Sequence, residues 1–195
     1  VNKPFSQACE NNKAPILCVI KPYLMHYERV LEIGSGTGQH AVYFAEQLPH
    51  LTWQTSDRVQ NHTGIKSWIA DSHVHNVIEP VALDLNNPWP VAKVPAIYTA
   101  NTLHIVSKEL VEKFFQGIRA HLAKEGLLCI YGPFNYHGQF TSDSNAQFNS
   151  LLKNNDPHSG IRDFEWIESL SQQAGLSLLK DHAMPANNRL LLFKR

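Results

Sequence analysis

The feature that most constrains this chain is a glycine loop set between a short apolar run and an amphipathic one. Arg29-Val30-Leu31-Glu32-Ile33 reads as a buried strand and runs directly into Gly34-Ser35-Gly36-Thr37-Gly38. From Thr37 to Leu48, the residues Ala41, Phe44, Ala45 and Leu48 fall on one side of a helix that Pro49 ends. Glycines let a backbone turn tightly and approach a ligand without Cβ clashes. In open α/β sheets, ligands bind outside the carboxyl ends of the strands, which is where such a loop lies. A dinucleotide fingerprint, Gly-x-Gly-x-x-Gly, counted from Gly34 would need a glycine where Gln39 stands; the third glycine is instead Gly38.

The rest of the chain alternates in the same way, which implies a parallel sheet covered by helices on both faces. A helix is expected over Pro15 to Met25, with Asn11 and Asn12 as caps. Further strands are expected at Leu51 to Ser56, Val77 to Leu85, Val94 to Ala100 and Gly126 to Tyr131. Helices are expected at Asn61 to Asp71, from a Ser107 cap to Leu122, at Asn145 to Lys153 and at Asp163 to Ala174. Gly132 to Asn145 reads as the longest loop. The last two strands, Ser177 to His182 and Arg189 to Lys194, are too close for a crossover and should pair antiparallel.

The second and third strands end in Asp57 and Asp84. A carboxylate at Asp57 suits ribose hydroxyls. One at Asp84, with the Leu85 backbone beside it, suits the amino edge of an adenine. With the glycine loop, these ends describe a nucleoside lying across the sheet edge.

Composition limits the partners. The 195 residues fit one domain, 1–195, and 43% are hydrophobic against 17% charged, as in a globular chain. Lys plus Arg equal Asp plus Glu at 17 each, with no cluster of three basic residues. A nucleic-acid partner is therefore not expected. No apolar run approaches the ~20 residues of a membrane span, and no secretory core opens the chain, so a cytoplasmic protein without a membrane partner is expected. Cys9, Cys18 and Cys129 form no C-x-x-C pair, and His73 and His75 have no third ligand at a useful spacing, so no metal site is expected. Nothing in the sequence signals an oligomeric state.

At Glu32-Ile33-Gly34-Ser35-Gly36-Thr37-Gly38-Gln39-His40-Ala41 the chain resembles the class I S-adenosylmethionine-dependent methyltransferases. It resembles most a small methyltransferase-like family catalogued as a domain of unknown function. Glu10-Asn11-Asn12-Lys13, Pro15-Ile16-Leu17, Tyr131-Gly132-Pro133-Phe134, Ser144-Asn145 with Phe148, and Met184-Pro185-Ala186-Asn187-Asn188 carry that likeness. The resemblance implies a Rossmann-like, seven-stranded, mostly parallel sheet with a terminal antiparallel hairpin. It also implies S-adenosylmethionine as cofactor. Glu32 would then orient the loop, Gly34, Gly36 and Gly38 would face the methionine and ribose, Asp57 would hold the ribose, and Asp84 and Leu85 would read the adenine. Ser35, Thr37 and Asn101 join the same set.

On the acceptor side the fourth strand ends in Asn101-Thr102-Leu103-His104. The Asn/Asp-Pro-Pro-aromatic motif of adenine and amide enzymes is absent, and so is the Pro-Cys nucleophile of cytosine-carbon enzymes. Both absences favour a small or medium organic acceptor. His104 and Tyr131 are candidate catalytic groups; a packing histidine is the plainer reading of His104. Phe134 and Tyr136, with Asn187 and Asn188 of the hairpin loop, are candidate substrate contacts, against the plainer readings of a surface loop and a turn. Residues 1–28, the loop from Gly132 and the hairpin loop are expected to cover one edge of the sheet. Two other functions fit the same motif: a catalytically silent S-adenosylmethionine- or S-adenosylhomocysteine-binding protein, and a nicotinamide-dependent oxidoreductase, which Gln39 and the hairpin disfavour.

Overall fold

The computed structural model describes residues 3–195; Val1 and Asn2 of the expected domain and cover lie outside the described residues. Helix α1 (Gln7–Leu24) leads into β1 (Arg29–Ile33), α2 (Gln39–Gln47), β2 (Thr52–Asp57), α3 (His62–Asp71), β3 (Val77–Ala82), β4 (Val94–Ala100), α4 (Lys108–His121) and β5 (Leu122–Gly132). After β6 (Phe134–Asn135), α5 (Asp143–Asn155), β7 (Arg162–Asp163) and α6 (Phe164–Gln173), the described chain closes with β8 (Ser177–Met184) and β9 (Asn188–Lys194). The seven-stranded sheet runs in the order β3-β2-β1-β4-β5-β9-β8. Strands β1 to β5 are parallel, and β9 pairs antiparallel with both β5 and β8. This is the mostly parallel sheet with a terminal hairpin that the sequence implies.

Strand alternation sorts the core into two layers. Leu31, Ile33, Ile97, Leu128 and Ile130 face α4 and α6, where Val111, Phe114, Ile118 and Ile167 are fully buried. Val30, Trp53, Ala96, Tyr98 and Cys129 face α1 and α2, meeting Ile16, Ile20, Phe44 and Ala45. Glu32 lies between the apolar residues Leu31 and Ile33 and is only 2% exposed. The sheet order reverses between β1 and β4, so the glycine loop opens at the switch point. Strand β8 runs parallel to β5, which brings the turn Pro185–Asn187 to that same edge.

Two local expectations are corrected. Helix α1 begins at Gln7, not beside Pro15, because the Ser6 side chain caps it by accepting from Cys9 N. Asn11 and Asn12 therefore lie inside the helix rather than capping it. Pro15 and Pro22 sit in its interior; neither residue can donate the usual helical bond. The loop after β5 contains a short strand, β6, which pairs in parallel with β7. Among the described residues, no helix is long and apolar enough to cross a membrane.

Candidate active site

The carboxyl ends of β1, β2, β4 and β5 open onto a cavity of about 1160 Å³. That is at the upper end of the range for small-molecule and cofactor pockets, ~300–1,000 Å³. Its first end is built by the glycine loop. Gly34 has φ +71°, and a Cβ there would sit 3.1 Å from Thr102 Oγ1. At Gly36, φ is +59° and a Cβ would meet nothing within 4 Å, since that position faces the open cavity. Gly38 differs: it does not line the cavity, and a Cβ there would lie 3.1 Å from the Ile65 backbone and 3.2 Å from Trp68. It is a packing glycine between α2 and α3, not one facing a ligand.

Asp57 holds this loop as much as it faces the cavity. Its Oδ2 accepts from Gly36 N at 2.8 Å, and its Oδ1 accepts from Arg58 N at 2.7 Å and Asn61 Nδ2 at 2.9 Å. A carboxylate offers about four acceptor sites, so about one remains for a ligand hydroxyl, rather than the pair expected from the strand end alone. Asp84 lies in the turn after β3, where its Oδ1 accepts from Asn86 N at 2.9 Å. Ser35, Thr37, Asp84, Leu85 and Asn101 all line the cavity. Asn101 takes a left-handed conformation, φ 54°, as the chain leaves β4. Glu32 also lines it, and its buried Oε1 has no partner among the described residues. Burial pushes the Glu32 carboxyl up to about 7, opposed by Ser35 and Trp53 beside it.

The other end holds His104, Tyr131, Asn187 and Asn188 together, though they come from distant segments. His104 is 4% exposed, and burial, then the Arg162 guanidinium, pushes its imidazole down to about 4. Its ring meets Phe148 edge-on at 5.6 Å. Burial raises the Tyr131 phenol, and Asn12 and Asn188 beside its hydroxyl oppose the rise. Asn145 Nδ2 donates to Asn187 O at 3.2 Å, tying α5 to the hairpin turn. Phe134 and Tyr136 do not reach the cavity. The pairing of β6 with β7 turns them toward the α4 and α6 layer: Phe134 is 2% exposed there, and Tyr136 stacks on Phe164 and donates to Asp181 Oδ2 at 2.6 Å.

The first turns of α1 form a third wall, which Gln39 holds in place. Ser6 N donates to Gln39 Oε1 at 2.7 Å, while Gln39 Nε2 donates to Glu10 Oε1 at 2.8 Å and Ser6 O at 3.2 Å. Ahead of the helix, Pro4 O accepts from Trp68 Nε1 at 2.6 Å. Next along α2, His40 Nε2 lies 2.6 Å from Asn12 Oδ1, and Tyr98 Oη lies 3.1 Å from His40 Nδ1. An amide oxygen can only accept, so Nε2 carries the proton and Nδ1 accepts from Tyr98. Burial holds this imidazole neutral, down at about 4.

A family model described as "Protein of unknown function (DUF938)" matches residues 3–195. The chain belongs to that family. Solved structures with the same fold include the S-adenosylmethionine-dependent methyltransferase SibL, with 22% identity and TM-score 0.77, over 96% of this DUF938 chain and 55% of that one. An O-methyltransferase family protein from Burkholderia thailandensis has 16% identity and TM-score 0.79, over 96% and 59% of the two chains. Human N-acetylserotonin methyltransferase, in complex with SAM, has 14% identity and TM-score 0.81, over 97% and 53%. The DUF938 chain thus has the class I methyltransferase fold and spans little more than half the length of these neighbours.

Three residues of the DUF938 chain shape the site without having been singled out by sequence reasoning. Gln39 stands where a dinucleotide fingerprint has glycine and His40 follows it in the motif, yet they hold α1 and Asn12. Arg162, 4% exposed, donates to the carbonyls of Leu103 at 3.0 Å, Val106 at 2.6 Å and His158 at 2.8 Å, fixing the segment that carries His104. No local pattern marks these roles, because every partner lies on another element.

Proposed function

We propose that the chain is an S-adenosylmethionine-dependent methyltransferase acting on a small or medium organic acceptor. The observation that carries this is one continuous cavity. It joins the glycine loop, Asp57 at the end of β2 and Asp84 in the turn after β3 to a second, amide-rich end. The residues present suit the cofactor. The unpartnered Glu32 oxygen suits a cationic ammonium group, the open cradle at Gly36 admits close approach, and Asp57 keeps one acceptor site for a ribose hydroxyl. Asp84 and the Leu85 backbone would then bracket the adenine, with Ser35, Thr37 and Asn101 lining the channel between.

When bound, S-adenosylmethionine supplies an electrophilic methyl group on sulfur with a neutral thioether as leaving group. What the protein adds is position. Holding two reactants in line is worth ~7–11 kcal/mol, and α1, α5 and the hairpin turn would exclude water around them. His104 is neutral and a weak base, so it serves as a hydrogen-bonding orienter of the acceptor, with Tyr131 opposite. Residues 3–28 would act as the cover of a single domain rather than as a separate unit.

The test is titration calorimetry with S-adenosylhomocysteine on the native chain and on Asp57→Ala, followed by transfer of labelled methyl groups into a metabolite extract. Asp57→Ala should weaken binding by ~1.5–3 kcal/mol. Equal affinity removes Asp57 from the site. Tight binding without any transfer identifies a silent binding protein instead, and binding of a nicotinamide dinucleotide alone overturns the cofactor assignment.

A further inference from the structure

The walls of the cavity's second end carry a hydrogen-bonding pattern that is specific although uncharged. Five asparagines line it: Asn11 and Asn12 from α1, Asn145 from α5, and Asn187 and Asn188 from the hairpin turn. Each spends one half of its carboxamide on the protein. Asn145 Nδ2 donates to Thr141 Oγ1 and Asn187 O, Asn187 Nδ2 donates to Ser144 Oγ, and Asn188 Nδ2 donates to Pro185 O. Their three carbonyl oxygens have no hydrogen-bond partner among the described residues. On α1 the halves are reversed. Asn12 Oδ1 accepts from His40, with its NH₂ beside the Tyr131 hydroxyl, and Asn11 Oδ1 accepts from Gln7 Nε2 at 2.9 Å, so the Asn11 NH₂ group remains.

The charges near this end are already committed. Among the described residues, Arg58 is the only Lys or Arg lining the cavity, and it adjoins Asp57 at the cofactor end. Arg162, behind His104, is spent on three backbone carbonyls. The helix N-termini at this end, those of α4 and α5, are closed by the Ser107 and Ser142 side chains and carry Glu109 and Asp143 in their first turns. His40 and His104 are neutral. Among the described residues, no Lys or Arg at this end offers a counter-charge to a carboxylate or phosphate, and the one other imidazole in the lining, His158, is exposed to solvent; burying such a group unpaired is costly. A cation is disfavoured for another reason: an attacking atom needs a free lone pair, so an ammonium must shed its proton before it can react.

From this arrangement we infer that the methyl acceptor is an uncharged polar small molecule that presents N–H or O–H donors to Asn145, Asn187 and Asn188 and an acceptor atom to Asn11. The inference rests on the methyltransferase reading. Anionic metabolites are excluded from the site, and neutral ones of the same size enter.

The experiment incubates the protein with methyl-labelled S-adenosylmethionine and a small-molecule extract, removes the cationic unreacted S-adenosylmethionine by reversed-phase chromatography alongside a protein-free control, then passes the remaining labelled products over an anion exchanger. Label is expected in the unretained fraction, in a form stable to mild base. Label retained on the exchanger, or released by base as methanol from a methyl ester, marks an anionic acceptor and overturns the inference. No label in any fraction, while S-adenosylhomocysteine still binds, overturns the methyltransferase reading itself. Asn187→Gly gives the residue-level arm, because position 187 is left-handed at φ 57° and glycine takes that conformation without strain. It should lower labelling at dilute extract about ten-fold, the worth of one hydrogen bond, with S-adenosylhomocysteine affinity unchanged. Unaltered labelling would remove Asn187 from the acceptor site.

Discussion

At the scale of single residues, the glycines of one loop do different work. Gly36 opens onto the cavity, whereas Gly38 lies against the Ile65 backbone. Gly36→Ala should fold with only the left-handed cost of ~1–2 kcal/mol and lose cofactor affinity, because its methyl projects where the ligand approaches. Gly38→Ala should lose more stability while its folded fraction still binds. Thermal melts and titration of both variants check this, and equal melting temperatures would contradict it. Glu32 gives a second residue-scale prediction. Its free-state value near 7 should fall when an ammonium group partners Oε1, so binding near pH 7 releases a proton and affinity rises as pH rises through that value. Calorimetry in buffers of different ionisation enthalpy measures that proton. A binding enthalpy independent of buffer would place the ammonium elsewhere. The two residues also differ in legibility: spacing alone identifies the loop, but which glycine faces the ligand depends on α3, which packs against one of them.

At the scale of elements, α1 is a cover latched by α2. Gln39 bonds Ser6 and Glu10 at once, and Trp68 of α3 bonds the Pro4 carbonyl. Gln39→Leu keeps the apolar volume and removes three bonds across the seam. The opening turn of α1, residues 6 to 12, should then exchange its amide hydrogens faster, with β1 and β4 unaffected. S-adenosylhomocysteine should slow exchange in those residues in the native chain and do so less in the variant. If Gln39→Leu leaves exchange at residues 6 to 12 unchanged, the latch is not what holds the cover. The same seam explains why α1 starts earlier than its apolar spacing suggests. Ile16, Ile20 and Leu24 show helical periodicity, but the first two turns are exposed or half-buried and polar. They owe their order to the Ser6 cap and Gln39, not to burial.

At the scale of the whole molecule, three buried titratable groups contribute to the acid response. His40 and His104 are held neutral in the fold, down at about 4 from an ordinary 6.5. The unfolded chain takes up those protons first, so each imidazole contributes stability above pH 6.5 that is lost progressively down to about 4, on the order of 3 kcal/mol for each. Glu32 acts in the opposite sense. Its carboxyl is raised to about 7 from 4.5, so the folded state binds the proton first and gains stability as pH falls through that interval. Two histidines outweigh one glutamate, and net stability should fall between pH 6.5 and 4.5. Urea unfolding at several pH values tests the sign: His104→Phe should flatten the decline and Glu32→Gln should steepen it. A slope that neither variant changes would assign the acid response to surface carboxylates.

The alternating sheet, the closing hairpin and the place of the glycine loop are legible in local sequence. Each follows from a local signal: apolar periodicity, the short span between the last two strands, and glycines between a strand and a helix. Local sequence also brings Asp57 and Asp84 to the loop, since successive parallel strands deliver their ends to one edge. Tertiary structure alone decided the rest of the site. Phe134 and Tyr136 turn away because β6 pairs with β7, a contact spanning Phe134 and Arg162. Asn12 reaches Tyr131 because His40 and Tyr98 orient its amide from behind. The part of the Asp57 carboxylate left for a ligand depends on Gly36, Arg58 and Asn61. A side chain's free lone pairs and the side of the sheet it faces depend on partners distant in the chain, and no local pattern records them.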